Sequence, residues 1–184
     1  MPEMIADRLA LLHRLLPSIM NKRVAEVGVL HGDYSAEILK REPGELHLID
    51  PWRHQDDAAY NDINNHEQSK FDLIHANVCA RFSLNRNVYI HRQFSHQFCR
   101  QNSAIKFDFV YLDGNHSLEG VMADLCMFYP MMNAGGWIAG HDWGSPSPFI
   151  GVQQSCIMFE HVTGNAISIL TEEPWGSFAI QIKE

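Results

Sequence analysis

Four places in this sequence carry side chains able to do chemistry, and three of them lie where an apolar run stops. Asp113-Gly114-Asn115-His116 follows Phe107-Asp108-Phe109-Val110-Tyr111-Leu112. His141-Asp142 follows Trp137-Ile138-Ala139-Gly140. Asp50 closes Leu46-His47-Leu48-Ile49. The fourth, Glu26, lies inside Val24-Ala25-Glu26-Val27, just ahead of Gly28 and Gly32. Carboxylates beside histidines are the groups of acid–base chemistry. Histidine's unperturbed pKa lies near neutrality, so His116 either takes a proton from a substrate or orders its loop by bonding to Asp113 or a backbone carbonyl. An acid closing a strand, such as Asp50, can accept hydrogen bonds from both hydroxyls of a ribose. An acid inside an apolar strand, such as Glu26, costs free energy unless a cationic or hydrogen-bonding partner meets it.

These residues act together only if the backbone gathers them. Short apolar runs bounded by glycines read as parallel strands covered on both faces. The pattern predicts strands at 24–29, 46–50, 87–91, 106–113 and 137–142, with two more at 166–170 and 177–182. Between them, helical spacing predicts helices over 34–41, 66–84, 118–129 and 152–162, with a short one through His96. Gly28 and Gly32 supply a turn after the first strand, and Asp33 or Ser35 suits the cap of the following helix. Ile5, Leu9, Leu12 and Leu16 predict a packing helix over 3–16, ended by Pro17. Residues 51–65 form a long polar loop, in which Trp52 either lines a pocket or anchors the loop. Alternating strands and helices mean an open α/β sheet. Ligands bind such sheets outside the carboxyl ends of the strands, where the strand order reverses. Every chemistry-bearing residue above would meet on that rim.

Composition narrows the partners. The chain has 184 residues, 46% of them hydrophobic, which suits one domain over 1–184 with a sizeable core. The net charge is −8 and the basic residues are dispersed. A nucleic-acid or anionic membrane partner is therefore not expected, and a small-molecule substrate is. The four cysteines form no C-x-x-C pair, which argues against a zinc ribbon or thioredoxin-like site. No signal peptide or membrane span is legible, so the expected location is cytoplasmic.

The stretch Glu26-x-Gly28-x-x-x-Gly32-x-x-Ser35 resembles the first motif of class I S-adenosylmethionine-dependent methyltransferases. A dinucleotide site would need glycine where Leu30 stands. The text FDFVYLDGNHSLEGVMADL … NAGGWIAGHDW resembles a group related to macrocin-type O-methyltransferases. Their pattern is D-G-x-H-S-Y-E-G-V-x-x-D-L, then P-G-G-x-I-x-G-H-D-Y. Leu118, Ala134 and Trp143 depart from it. The resemblance spans about residues 20–182. It implies a Rossmann-like, seven-stranded, mostly parallel sheet of order 3-2-1-4-5-7-6, the last strand antiparallel, with helices on both faces.

It further implies S-adenosylmethionine as cofactor, with Glu26, Gly28, Gly32, Ser35, Asp50, Trp52 and Asp113 around its methionyl and ribose parts. Gln93, Phe94 and Ser95 would meet the adenine. Asp113, His116 and Asp142 would flank the methyl acceptor, a small molecule methylated at a hydroxyl oxygen, and Trp143, Phe149 and Trp175 would wall it. A divalent metal, Mg²⁺, Mn²⁺ or Fe²⁺, could rest on Asp113, His141 and Asp142; the histidine shifts preference away from Mg²⁺. Two rival readings remain: a metal-dependent hydroxylase-like relative on the same fold, and a non-catalytic nucleoside-binding module. A homo-oligomer could complete an acceptor site that a chain this short leaves thin.

Overall fold

Alternation of apolar side chains along the strands divides the core into two faces, and this division positions everything else. The computed structural model describes residues 1–17, 21–56, 64–145 and 151–183. Its elements run β1 (Glu3–Ile5), α1 (Arg8–Leu15), β2 (Arg23–Val27), α2 (Asp33–Leu39), β3 (Glu45–Asp50) and α3 (Gln68–Phe82). They continue with β4 (Val88–Arg92), α4 (Ser95–Gln101), β5 (Phe107–Leu112), α5 (Leu118–Phe128) and β6 (Met132–Gly140). The chain closes with α6 (Val152–Thr163), β7 (Ile167–Thr171) and β8 (Phe178–Gln181). In β5, Phe109 and Tyr111 pack with Leu11, Ile38 and Val78 of α1, α2 and α3. Val110 and Leu112 point the other way, to Phe98, Leu125 and Phe159 of α4, α5 and α6. Period-two alternation thus gives each side of one sheet its own layer of helices.

The strands form one sheet in the order β1-β7-β8-β6-β5-β2-β3-β4. β8 is antiparallel to β6 and β7, and the other pairs are parallel. This is the expected seven-stranded order with one further strand, β1, at the edge. The order reverses between β2 and β5, where Val24–Val27 pair with Phe109–Leu112. A crevice therefore opens beyond the carboxyl ends of these two central strands.

The expected helix over 3–16 is corrected. Glu3–Ile5 pair with Ile169–Thr171 of β7, and α1 starts only at Arg8. Asp7 decides the boundary. Its backbone is extended, and its carboxylate accepts from the amides of Leu9 and Ala10 at 2.9 and 2.8 Å. That satisfies two donors that a helix start leaves unpaired. The residues before it cover the open edge of β7 instead. The fifth strand of the expected set also differs. It begins at Met132 and carries an irregularity around Gly135, so Phe107 faces Met132 but Phe109 faces Trp137. Gly135 takes a φ of 74°, which glycine adopts without strain.

Among the described residues, no helix is long and apolar enough to cross a membrane. Replacing the cap should loosen the N-terminal element: Asp7→Ala is expected to lower stability by about 1 kcal/mol in urea unfolding.

Candidate functional site

Two central strand ends approach so closely that one residue between them cannot carry a side chain. The amide of Gly28 donates to the Ile49 carbonyl, and that of Asp113 donates to Val27, at 2.9 and 2.8 Å. A Cβ on Gly28 would fall 2.0 Å from the Asp113 carbonyl oxygen, and φ there is 87°. Glycine is required for both reasons. The chain then turns through Leu30 at φ 46° and Gly32 at φ 75° into α2.

Asp50 builds this turn. Its Oδ2 accepts from the amides of Val29 and Leu30, both at 3.0 Å, and its Oδ1 accepts from the amide of Trp52 at 2.6 Å. Burial lifts the Asp50 pKa, against the pull of these three donors. Trp52 is fully buried, and its indole N–H donates to the Leu30 carbonyl at 2.9 Å. Of its two expected roles, the structure displays the anchor: the tryptophan ties the polar loop to the glycine turn.

Glu26 lies beneath the turn, 2% exposed. The Ser35 hydroxyl, from α2, donates to its carboxyl group. Ser35 therefore spends its hydroxyl on Glu26. Desolvation pushes the Glu26 pKa up to about 8, and the charges of Asp113 and Asp50 add to the rise, while Ser35 and Arg8 oppose it. An acid in this state favours an arriving cation.

Gln93, Phe94 and Ser95 follow β4, one strand beyond Asp50, and all three are half-buried. The Gln93 amide donates to the Asp50 carbonyl at 3.1 Å, and the Ser95 hydroxyl bonds the buried Asp124 of α5. Desolvation pushes Asp124 up to about 6.

On the far side of Asp113 stands a cluster of two acids and two histidines. His116 Nε2 lies 3.2 Å from Asp113 Oδ1 and 3.1 Å from Asp142 Oδ2. His141 Nδ1 lies 3.4 Å from Asp142 Oδ2 and 3.9 Å from Asp113 Oδ1. Burial disfavours the charged forms of both His141 and Asp142. Their mutual bond and the neighbouring charges outweigh it, so the His141 pKa is raised and that of Asp142 lowered. One ligand atom each from Asp113, His141 and Asp142 lie within 4.8 Å of one another, a donor set suited to a divalent cation. Asp142 takes φ 63°, and the amides of Trp143 and Gly144 donate to Gly176 and Trp175, both at 3.1 Å. This stitches the loop after β6 to the β7–β8 turn. Trp143 is half-buried and Trp175 is exposed. Phe149 lies outside the described residues.

Sequence reasoning missed one member of the rim. Arg8, first residue of α1, brings Nη1 to 3.8 Å from Asp113 Oδ2. A lone arginine on an amphipathic helix has no distinguishing spacing, so no sequence signal marked it.

A family model for a methyltransferase domain matches residues 25–143, which run from within β2 to Trp143, just past Asp142. The chain belongs to this methyltransferase family. No curated protein matches it in sequence. Solved structures share its fold at low identity. The N-methyltransferase NodS from Bradyrhizobium japonicum WM9 superposes with a TM-score of 0.67 at 12% identity, covering 96% of this chain and 95% of that one. The O-methyltransferase TomG from Streptomyces achromogenes, solved with SAM, gives 0.63 at 14%, with 96% and 80% covered. The ribosomal protein L11 methylase from Lactobacillus delbrueckii subsp. bulgaricus gives 0.61 at 13%, with 96% and 78% covered. In this methyltransferase the approach at Gly28 should tolerate no side chain. Gly28→Ala is expected to lose about 1–3 kcal/mol in urea unfolding.

Proposed function

We propose that this methyltransferase uses S-adenosylmethionine and methylates a small molecule at a hydroxyl oxygen. The observation that carries the reading is His116 held between Asp113 and Asp142, on the same rim as Glu26 and Asp50. The donor chemistry suits the cofactor. Its sulfonium, ammonium and ribose hydroxyls call for acceptors, and the rim offers four carboxyl groups: Glu26, Asp50, Asp113 and Asp142. When bound, S-adenosylmethionine supplies a methyl group on a positively charged sulfur.

The chain's own residues align and deprotonate. Glu26 faces the methionyl ammonium. Asp50 has two of its three backbone bonds on Oδ2, which leaves Oδ1 capacity for a ribose hydroxyl. Asp113 and Asp142 both accept from Nε2 of His116, which orients the ring, so the acceptor's proton goes to Nδ1. Resemblance of D-G-N-H-S and G-H-D to macrocin-type enzymes supports oxygen as the acceptor atom. TomG, an O-methyltransferase by name, supports the same choice. Asp113, His141 and Asp142 would hold a divalent metal, with Mn²⁺ or Fe²⁺ better suited than Mg²⁺, and such an ion would supply Lewis acidity at a hydroxyl.

Two outcomes test this reading. S-adenosylhomocysteine should bind in titration calorimetry. Glu26 holds its proton up to about pH 8 in the ligand-free protein and gives it up to face a cation. Affinity should therefore rise as pH climbs toward 8, with release of about one proton near neutrality in buffers of different ionisation enthalpy. Glu26→Gln should remove that release. His116→Ala should retain cofactor affinity and lower methyl transfer to hydroxylated small molecules by roughly 10²–10⁴-fold, followed with isotopically labelled cofactor.

A further inference from the structure

The acids of the rim complement three parts of S-adenosylmethionine and repel a fourth. The methionyl end carries an α-carboxylate beside its ammonium. Placed near Glu26, Asp50, Asp113 and Asp142, that carboxylate meets negative charge unless a cation accompanies it. Among the ion pairs of the described residues, Arg8 with Asp113 is the one that brings an arginine or lysine to these acids.

Arg8 is positioned by the backbone around it. Asp7 caps α1 and fixes its first residue. The Tyr34 hydroxyl, from the first turn of α2, is 3.5 Å from the Arg8 carbonyl oxygen and donates to it. β1 is stitched to β7, and the Glu172 amide donates to the Ile5 carbonyl at 2.9 Å. The guanidinium carbon sits 5.4 Å from the centre of the Tyr34 ring, directly after the glycine turn. Its charge is felt at Glu26, His141 and Asp142, so it acts on the acids on both sides of Asp113. The 3.8 Å separation from Asp113 is an ion pair without hydrogen-bond contact, and the side chain is 39% exposed. The guanidinium also bonds the Tyr111 hydroxyl, and the donors that bond does not use can meet a carboxylate.

We infer that Arg8 binds the α-carboxylate of the cofactor's methionyl end, an assignment that rests on the S-adenosylmethionine reading. The N-terminal element then has a function beyond packing. It carries a positive charge that lets an acidic pocket accept the carboxylate as well as the ammonium of an amino acid.

Titration calorimetry with ligands that differ only in this end tests the inference. S-adenosylhomocysteine has the carboxylate, its decarboxylated analogue lacks it, and 5′-methylthioadenosine lacks the whole amino-acid end. The wild-type protein should prefer S-adenosylhomocysteine to the decarboxylated analogue. Arg8→Ala should weaken S-adenosylhomocysteine by roughly 10- to 100-fold, abolish that preference and leave 5′-methylthioadenosine unchanged. Arg8→Lys should restore part of the preference, and circular dichroism should confirm that both variants fold. Equal weakening of all three ligands, or unchanged S-adenosylhomocysteine affinity, would overturn the inference alone. If the wild-type protein binds none of the three, the cofactor reading falls and takes the inference with it.

Discussion

A carboxyl group buried in the middle of a parallel sheet sets the terms for this site. Glu26 is 2% exposed and shares its surroundings with Asp50 and Asp113. Removing it from water disfavours its charge, and two nearby acids disfavour it further. The Ser35 hydroxyl and the charge of Arg8 oppose these effects without cancelling them. Linkage fixes the sign of the consequence. An acid whose pKa is raised by folding stabilises the protonated native state, so its contribution erodes as pH rises from the ordinary carboxylate range toward about 8. A cation delivered to this spot reverses that loss. The sheet thus holds a local demand for positive charge where its strand order reverses.

Strain around the rim has identifiable supports. Leu30, Trp52 and Asp142 all take left-handed backbone angles, which bulky residues rarely adopt. The amides of Leu30 and Trp52 both donate to the Asp50 carboxylate, and the Trp52 indole closes the circuit on the Leu30 carbonyl. Asp142 is held by the loop bonded to Gly176 and Trp175. Asp50 is therefore an architectural residue before any ligand arrives: the same carboxylate that closes β3 also defines the floor of the crevice.

The sheet does not choose the acceptor. NodS, TomG and the L11 methylase share the architecture and by their names methylate different things. What distinguishes a chemistry must lie in side chains above the strand ends. In this chain these are His116, His141 and the two aspartates that hold them. The aromatic Trp143 and Trp175 stand close by on two loops joined by backbone hydrogen bonds.

Local pattern was enough to give the strands that lead to Asp50 and Asp113 and the glycine turn after β2, whereas the strand order came from the resemblance to the methyltransferase family. Apolar periodicity reports how a segment is buried, and glycine reports where backbone must pass closely; both are properties of a few consecutive residues. The cap at Asp7 was equally local, yet the apolar spacing of residues 3–16 masked it, so β1 was read as helix. Partners across the fold were not legible. That Ser35 is spent on Glu26, that Trp52 anchors a turn, that His116 lies between two acids, and that Arg8 reaches Asp113 are contacts between residues 9, 22, 26 and 105 positions apart. Sequence determined which strands end in acids, because that is written in neighbouring residues. Only the tertiary structure decided which groups those acids face, because packing sets the partner of a buried charge over distances that no local pattern encodes.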